Sequence, residues 1–269
     1  MISTLRELRL VFLALAFLVA LPLTAALADN AWGRNHWERP DANDVTVKLG
    51  SNVSGSWVSA LDGASADWRL QPVPTHIGTQ VVDGAGNAGC GPVLDRVEVC
   101  NAAYGQNGWL GLASIWVYRG KDAHIAQGTV QLNDTYFDTA AYNTSTWRNY
   151  VTCQEVGHTI ALAHQDEDFD NANLGTCMDY TAVPDASNEH PNLHDYEQLG
   201  IIYAHDHAPK AGGGSGGGGN GGNGRNNRAE AFFGQTALPA NASAAAGDVF
   251  TRDLPNGLRV ITFVTWLPE

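Results

Sequence analysis

The stretch TCQEVGHTIALAHQDED, residues 152–168, places polar side chains at spacings that determine where they can meet. Gln154 and His158 are four residues apart, so on a helix they lie on one face, a single turn from each other. His164 can reach the same point only if the helix ends and the chain turns back. Neutral imidazole is a good zinc ligand, and Glu155 is placed to take a proton from water activated by a metal. The stretch therefore predicts a helix, a sharp turn and a metal site.

Two segments together carry a family resemblance. QEVGHTIALAH (154–164) resembles the metzincin zinc-peptidase motif H-E-x-x-H-x-x-G-x-x-H. Further on, TCMDY (176–180) resembles the methionine turn of that family, with Met178 and Tyr180 at the M-x-Y spacing. The range 45–205 resembles the matrixin-like zinc proteins of secreted bacterial chains. The resemblance implies an α+β metzincin-like domain with a mixed twisted sheet, an active-site helix and a C-terminal helix.

The resemblance also implies a role for each matching residue. His158 and His164 would be zinc ligands, Glu155 the general base and Met178 the floor of the site. Residues 124–133 alternate enough in hydropathy to be an edge strand, and by the resemblance this strand would lie along the cleft and pair with an extended peptide. The implied activity is the hydrolysis of peptide bonds by a zinc-dependent metalloendopeptidase.

Two positions depart from the family motif. Gln154 stands where the first histidine ligand is expected, and an amide is a much poorer zinc donor than imidazole. Ala161 stands where the family has glycine, which costs roughly 1 to 2 kcal/mol if the turn needs a left-handed residue. Tyr180 is the best candidate for a replacement third ligand, because in some metzincins the tyrosine of the M-x-Y turn coordinates zinc. Weaker candidates are Asp166, His190 and His194.

Hydropathy patterns predict strands first and helices last, as is typical of an α+β domain. Strands are predicted at 45–50, 80–83, 96–100, 113–118 and 124–133. An amphipathic helix is predicted where Trp57, Leu61, Ala64 and Trp68 recur at helical spacing. Two later helices are predicted, one from Thr146 through the motif with Ser145 as its cap, and one at 194–205.

The four cysteines form an even set, for which two disulfides are the default in a secreted chain. Pairing of sequence neighbours would join Cys90 to Cys100 and Cys153 to Cys177. The second bond would hold the residue before Gln154 close to the residue before Met178.

The acidic stretch DEDFDNAN (166–173) offers many oxygen ligands and could hold calcium. It lacks the EF-hand spacing with a central glycine. A solvated loop is therefore the favoured interpretation.

The two ends of the chain differ from the central domain. Residues 1–28 combine Arg6 and Arg9, an apolar run and an Ala-Leu-Ala exit, which predicts a cleaved signal peptide and a secreted, extracellular protein. The run AGGGSGGGGNGGNGRNN (211–227) predicts a flexible linker. The predicted divisions are therefore a signal peptide at 1–28, a metallopeptidase domain at 29–208, a linker at 209–228 and a small β segment at 229–269.

The last segment predicts a β-hairpin, since DVFTRDL and LRVITFVTW flank a Pro-Asn-Gly turn at 255–257. So short a segment cannot build much core alone. We expect it to be a small appendage that docks or pairs with a partner.

Charge limits the kinds of partner. The chain has 15 basic and 28 acidic residues and a formal net charge of −13, which argues against nucleic acid and anionic membranes. No apolar run after the signal is long enough to span a bilayer, so no stable membrane insertion is expected after cleavage. The expected partner is a peptide or protein substrate, and the sequence leaves the oligomeric state open.

Two functions remain open at this stage. The first is a secreted zinc metallopeptidase, which explains why Glu155, His158 and His164 stand together. The second is a catalytically inactive metzincin-fold protein that binds an extracellular polypeptide or surface partner, which Gln154 and Ala161 favour. The short stretch before the first predicted strand also leaves no room for an inhibitory propeptide, so a potent peptidase would be secreted unguarded.

Overall fold

The computed structural model describes residues 30–39, 43–120, 123–204, 238–239 and 242–268. The predicted signal peptide and the predicted Gly-rich linker lie outside these residues.

The described residues form a mixed α+β structure, as predicted. The strands are β1 (His36–Trp37), β2 (Val45–Asn52), β3 (Ile77–Asp83), β4 (Val97–Ala102), β5 (Trp109–Tyr118), β6 (His124–Asn133), β7 (Val249–Asp253) and β8 (Leu258–Trp266). The helices are α1 (Trp57–Asp67), α2 (Asp134–Phe137), α3 (Ser145–Thr159) and α4 (Leu193–Ile202). The predicted strands and helices are all present, with bounds shifted by a few residues.

All eight strands belong to one sheet. Its order is β3-β2-β4-β6-β5-β8-β7, with β1 paired to β6. Strands β2, β3, β4 and β6 run parallel to one another, whereas β5, β8 and β7 are joined by antiparallel pairing. The parallel and antiparallel halves therefore meet between β6 and β5.

The prediction that 124–133 is an edge strand is wrong. β6 lies between β4 and β5, and both neighbours pair with it. The edge prediction rests on the alternating hydropathy of 124–133, yet the polar residues Gln127 and Thr129 of this strand are both buried. Alternating hydropathy reports one apolar face but cannot reveal that a polar face is also covered.

The predicted C-terminal hairpin is present, but it is not a separate appendage. β8 pairs with β5 along its length, from Trp109 opposite Trp266 to Tyr118 opposite Leu258. Every residue of β8 except Arg259 is buried. The hairpin therefore continues the main sheet, because both faces of β8 carry apolar residues that need cover.

Helix α3 is fixed at both ends by side chains. The hydroxyl of Thr144, not the predicted Ser145, accepts a hydrogen bond from the Trp147 amide and caps the helix. At the other end, the Trp37 indole donates to the Thr159 carbonyl at 2.8 Å, and the Tyr203 hydroxyl donates to the Ile160 carbonyl. These bonds satisfy carbonyls that a helix end leaves free.

Helix α1 packs beside α3 with the predicted face inward, since Trp57, Leu61, Ala64 and Trp68 are all buried. The Trp68 indole donates to the Cys153 carbonyl within α3. The helix that carries the motif is thus held between the sheet and α1.

Both predicted disulfides are present, Cys90 to Cys100 and Cys153 to Cys177. Among the described residues, no helix has the length and apolar character needed to cross a bilayer.

Candidate functional site

The turn after α3 brings the two motif histidines together. α3 ends at Thr159, and Ala161 adopts a left-handed backbone conformation with φ of 87°. His164 then approaches His158, with 3.0 Å between their Nε2 atoms and the rings nearly perpendicular. The helix and sharp turn predicted from the spacing are both present.

The hydrogen bonds of the two rings fix where their lone pairs point. The Nδ1 atom of His158 lies 2.8 Å from the Leu162 carbonyl, and Nδ1 of His164 lies 3.0 Å from an Asp248 carboxylate oxygen. Each Nδ1–H therefore donates to an oxygen, and Nε2 is the ring atom that each histidine directs at the other. Burial and the neighbouring His164 hold the pKa of His158 well below its usual value, so its ring is neutral.

Two Nε2 atoms 3.0 Å apart need a hydrogen or a cation between them, because two bare lone pairs at that distance would repel each other. Two imidazole nitrogens bound to one zinc ion at about 2.0–2.1 Å would stand about 3.3 Å apart in tetrahedral geometry. The pair thus fits two ligands of a zinc site in spacing and in the partners that orient each ring.

The methionine turn lies against the inner side of α3. A methyl group added to Gly157 would come within 2.5 Å of the Met178 sulfur and 2.8 Å of Trp68, so only glycine allows this approach. The turn is held further by the Cys153–Cys177 disulfide and by the Tyr150 hydroxyl, which donates to the Asp179 carbonyl at 2.7 Å. Met178 therefore packs next to the residue that precedes His158.

Asp195 ties the methionine turn to the chain that follows the motif. Its carboxylate accepts hydrogen bonds from the Thr176 hydroxyl, the Gln165 amide and the Asn30 amide. The backbone N–H of Gln165 donates to the Met178 carbonyl at 2.7 Å. These contacts hold both sides of the histidine pair in one rigid unit.

Glu155 is completely buried between α3 and β5. Gly111 of β5 lies so close that a methyl group there would collide with the Glu155 carboxyl group. Burial raises the pKa of Glu155 to about 8, although a hydrogen bond with Thr265 opposes the shift. Its Oε2 atom is buried and has no hydrogen-bond partner among the described residues. Such an acid is a candidate for proton transfer.

One hydroxyl links Glu155 to Gln154. The Thr265 Oγ1 atom lies 2.6 Å from Oε1 of Gln154 and 2.6 Å from Oε1 of Glu155. A hydroxyl has a single hydrogen, so it donates to one oxygen and accepts from the other. A protonated Glu155 supplies the second hydrogen, which gives a chain from Glu155 through Thr265 to Gln154.

The two proposed third ligands have other hydrogen-bond partners. Besides Thr265, Gln154 contacts the Tyr150 hydroxyl and the Asp179 carbonyl through its amide nitrogen. The Tyr180 hydroxyl donates to Asp248 and contacts the Val264 carbonyl, while its ring packs 4.2 Å from the ring of His164. Among the described contacts, no polar atom of Gln154 or Tyr180 reaches a ring nitrogen of the two histidines.

Several residues at the site come from the C-terminal segment and were missed from the sequence. The Phe263 ring stacks on His158 with centroids 4.5 Å apart and planes 6° from parallel. Asp248 accepts hydrogen bonds from His164 and Tyr180, which outweigh burial and keep the pKa of Asp248 below its usual value. Neither residue, nor Thr265, stands at a spacing that relates it to the motif, so no local sequence signal could have found them.

The weaker ligand candidates lie in other surroundings. His190 is exposed and pairs with Asp67 at 2.7 Å. His194 lies in the first turn of α4. Asp166 accepts hydrogen bonds from the Asp168 amide and the Asn171 side chain within the acidic loop. The structure therefore does not bring these three residues to the histidine pair by any described contact.

A set of atoms that could hold a metal ion overlaps the site on its outer side. Ligand atoms of His164, Glu167 and Asp248 all lie within 4.8 Å of one another. Glu167 and Asp248 line a cleft of about 840 Å³ between the acidic loop and the C-terminal segment, whereas His164 does not. Tyr180 lines this cleft, whereas Glu155 and His158 do not. The paired histidines and Glu155 are thus enclosed, and only the flank of the site faces solvent.

Comparison with known proteins adds no assignment: no family model matches the chain, and no curated protein matches it. The resemblance to metzincins rests on the motif, the methionine turn and their order in the chain.

Proposed function

We propose that the mature chain is a secreted zinc-dependent endopeptidase of metzincin type. The observation that carries this proposal is the histidine pair, whose Nε2 atoms lie 3.0 Å apart, together with a buried carboxylic acid on the helix that bears His158. An amphipathic helix with two chance histidines would not orient both rings through their Nδ1 atoms. Nor would chance explain the burial of Glu155 near these histidines with its Oε2 atom left without a hydrogen-bond partner among the described residues.

The residues at the site suggest a separate role for each in peptide hydrolysis. His158 and His164 would hold zinc, which supplies the Lewis acidity that peptide hydrolysis needs. Glu155 would take a proton from the attacking water and pass it to the leaving amine. Met178 and the Cys153–Cys177 disulfide keep the floor of the site rigid, as a preorganised site requires.

A third protein ligand would come from Gln154 or Tyr180. Both stand close to the histidine pair, Gln154 one turn before His158 and Tyr180 packed on His164. The Gln154 oxygen is bonded by Thr265 and the Tyr180 hydroxyl by Asp248. Either group would have to give up a contact with the C-terminal segment before it could bind a metal.

A second candidate function is a metzincin-like scaffold without catalysis, which binds an extracellular polypeptide. The observation in its favour is enclosure, since Glu155 and His158 are fully buried in this arrangement. A substrate cannot reach an enclosed site unless a part of the chain moves.

Metal content and cleavage together separate the two functions. The purified mature chain, stripped by a chelator and reloaded, should hold one zinc ion per chain. The variants His158→Ala and His164→Ala should lose the ion, while His190→Ala, which alters a surface histidine, should retain it. Slow cleavage of an unfolded polypeptide, read as new termini by mass spectrometry, should disappear in Glu155→Gln without loss of zinc. Absence of zinc from the wild-type chain, or cleavage that survives in Glu155→Gln, would refute the proposal.

A further inference from the structure

We propose that the C-terminal segment 248–266 is a tethered inhibitor that lies where an extended polypeptide substrate would bind. This inference rests on the proposed peptidase function and adds a regulatory part to it. The β5 edge would be the binding surface, and β8 its built-in occupant.

The pairing of β8 with β5 is that of a bound strand. β8 runs antiparallel to β5 over the whole strand, from Trp109 opposite Trp266 to Tyr118 opposite Leu258. Addition of a strand to a sheet edge is a general way in which extended polypeptides are bound. With β8 in place, that edge of β5 is fully occupied.

Side chains on one face of β8 point at the motif. Ile261 and Phe263 belong to the main core cluster, whereas Val264 and Trp266 belong to a separate cluster on the opposite face. Phe263 stacks on His158, and two residues later Thr265 contacts both Gln154 and Glu155. The alternation of a strand thus places successive inward residues over successive groups of the site.

The segment contacts every group that the proposed chemistry uses. In addition to the contacts of Phe263 and Thr265, Asp248 bonds His164 and Tyr180, and the Val264 carbonyl bonds Tyr180. A peptide carbonyl could not approach Glu155 while Thr265 lies 2.6 Å from its carboxyl group. An enzyme whose own C-terminal segment covers its site in this way is inhibited until the segment moves.

The same contacts describe the substrate that would replace β8. It would be an unfolded polypeptide in β conformation, with an aromatic side chain over His158 and a small hydroxyl or aliphatic side chain two residues later. A tethered strand has a high effective concentration at its site, in the millimolar range for a flexible connection. A free substrate therefore competes poorly until the docking of β8 is weakened.

The main test weakens docking in the full-length chain. Phe263→Asp places a charge against the buried His158 ring, which is strongly unfavourable. Zinc-loaded Phe263→Asp should cleave an unfolded polypeptide about tenfold faster than wild type or more. Arg259→Ala is the matched control on the same strand, because its side chain is exposed and pairs only with Asp253 among the described ion pairs. Its cleavage rate should equal that of wild type.

A second variant tests the same inference if Phe263→Asp does not fold. Thr265→Val keeps the shape of the side chain but removes its hydrogen bonds to Gln154 and Glu155, which should raise cleavage by about fivefold or more. A synthetic peptide of residues 242–268 should suppress the raised activity of either variant, while the same peptide with aspartate at position 263 should not.

Hydrogen exchange of the β5 amides provides a readout that does not depend on cleavage. Exchange in residues 109–118 should speed up in Phe263→Asp and slow again when the 242–268 peptide is added. If exchange in β5 speeds up but cleavage stays at the wild-type rate, the segment is not an inhibitor. The peptidase proposal would then be judged by the cleavage activity of the wild type alone. If β5 opens, zinc is bound and no Glu155-dependent cleavage occurs, the peptidase function itself has failed. Loss of cleavage in both variants relative to an active wild type would make the segment part of the catalytic machinery and overturn the inference.

Discussion

At the scale of single residues, Ala161 carries the clearest local strain. Its φ of 87° lies in the region that an L-residue with a Cβ atom disfavours, yet the turn needs it to return His164 to His158. The Ala161 amide donates to the His158 carbonyl, so the turn is closed by the backbone and does not depend on the side chain. The turn is therefore formed at a cost in stability.

Replacing this alanine should recover part of that cost. Ala161→Gly is expected to raise the free energy of unfolding by about 1 kcal/mol, because glycine tolerates positive φ, although it also loses more entropy on folding. Ala163→Gly is the control two residues away, at a position without positive φ, and should lower stability. Chemical denaturation measures both. Destabilisation by Ala161→Gly equal to that of the control would show that the backbone is not strained.

Gln154 is the residue that separates this site from the family motif. Its amide oxygen accepts from Thr265 and its nitrogen contacts the Tyr150 hydroxyl, so it serves as a hydrogen-bonding residue in the closed arrangement. A histidine at this position would lie one turn before His158 on the same face and add a stronger zinc donor.

Gln154→His should therefore tighten zinc binding by about tenfold or more. Competition against a chromophoric chelator gives the affinity, with Ser145→His as a control at the exposed first residue of α3, far from the ligand face. Unchanged affinity in Gln154→His would mean that position 154 does not point at the metal.

At the scale of elements, the contact between α3 and the methionine turn depends on one missing methyl group. Gly157 faces the Met178 sulfur and the Trp68 ring, and an added Cβ atom would overlap with both. Since the disulfide beside it restrains the turn, the two elements cannot separate freely to make room.

Gly157→Ala should thus lower the free energy of unfolding by about 1 to 3 kcal/mol through overpacking, despite the better helix propensity of alanine. Gly63→Ala is a matched control in the middle of α1, where an added methyl group meets nothing within 4 Å. It should raise stability by about 0.5 to 1 kcal/mol. Equal effects from the two substitutions would contradict the tight packing described for Met178.

Predictability also differs between elements. The motif helix and its turn could be predicted because ligand spacing on a helix is a local property of residues 154–164. The position of β6 could not, because strand order depends on which strands pair, and the buried Gln127 and Thr129 gave a misleading pattern of exposure. The helix cap at Thr144, one residue before the predicted Ser145, shows the same limit at shorter range.

At the scale of the whole molecule, the C-terminal hairpin covers the candidate site and contacts its residues. Its sequence predicted two strands and a turn, but not their partner, because edge pairing carries no signature in the hairpin itself. Thr265 and Gln154 are 111 residues apart, and only the folded sheet brings them together. Peptidase chemistry and its restraint would thus reside in one chain, with the restraint in the C-terminal segment.

Locating the zinc ion by X-ray diffraction would test directly whether His158 and His164 bind it. Crystals of the zinc-loaded mature chain would be measured on both sides of the zinc absorption edge to locate the ion by anomalous scattering. We predict a single strong peak between the Nε2 atoms of His158 and His164, at about 2.0–2.1 Å from each. No peak at that point, or a peak only among His164, Glu167 and Asp248, would contradict it.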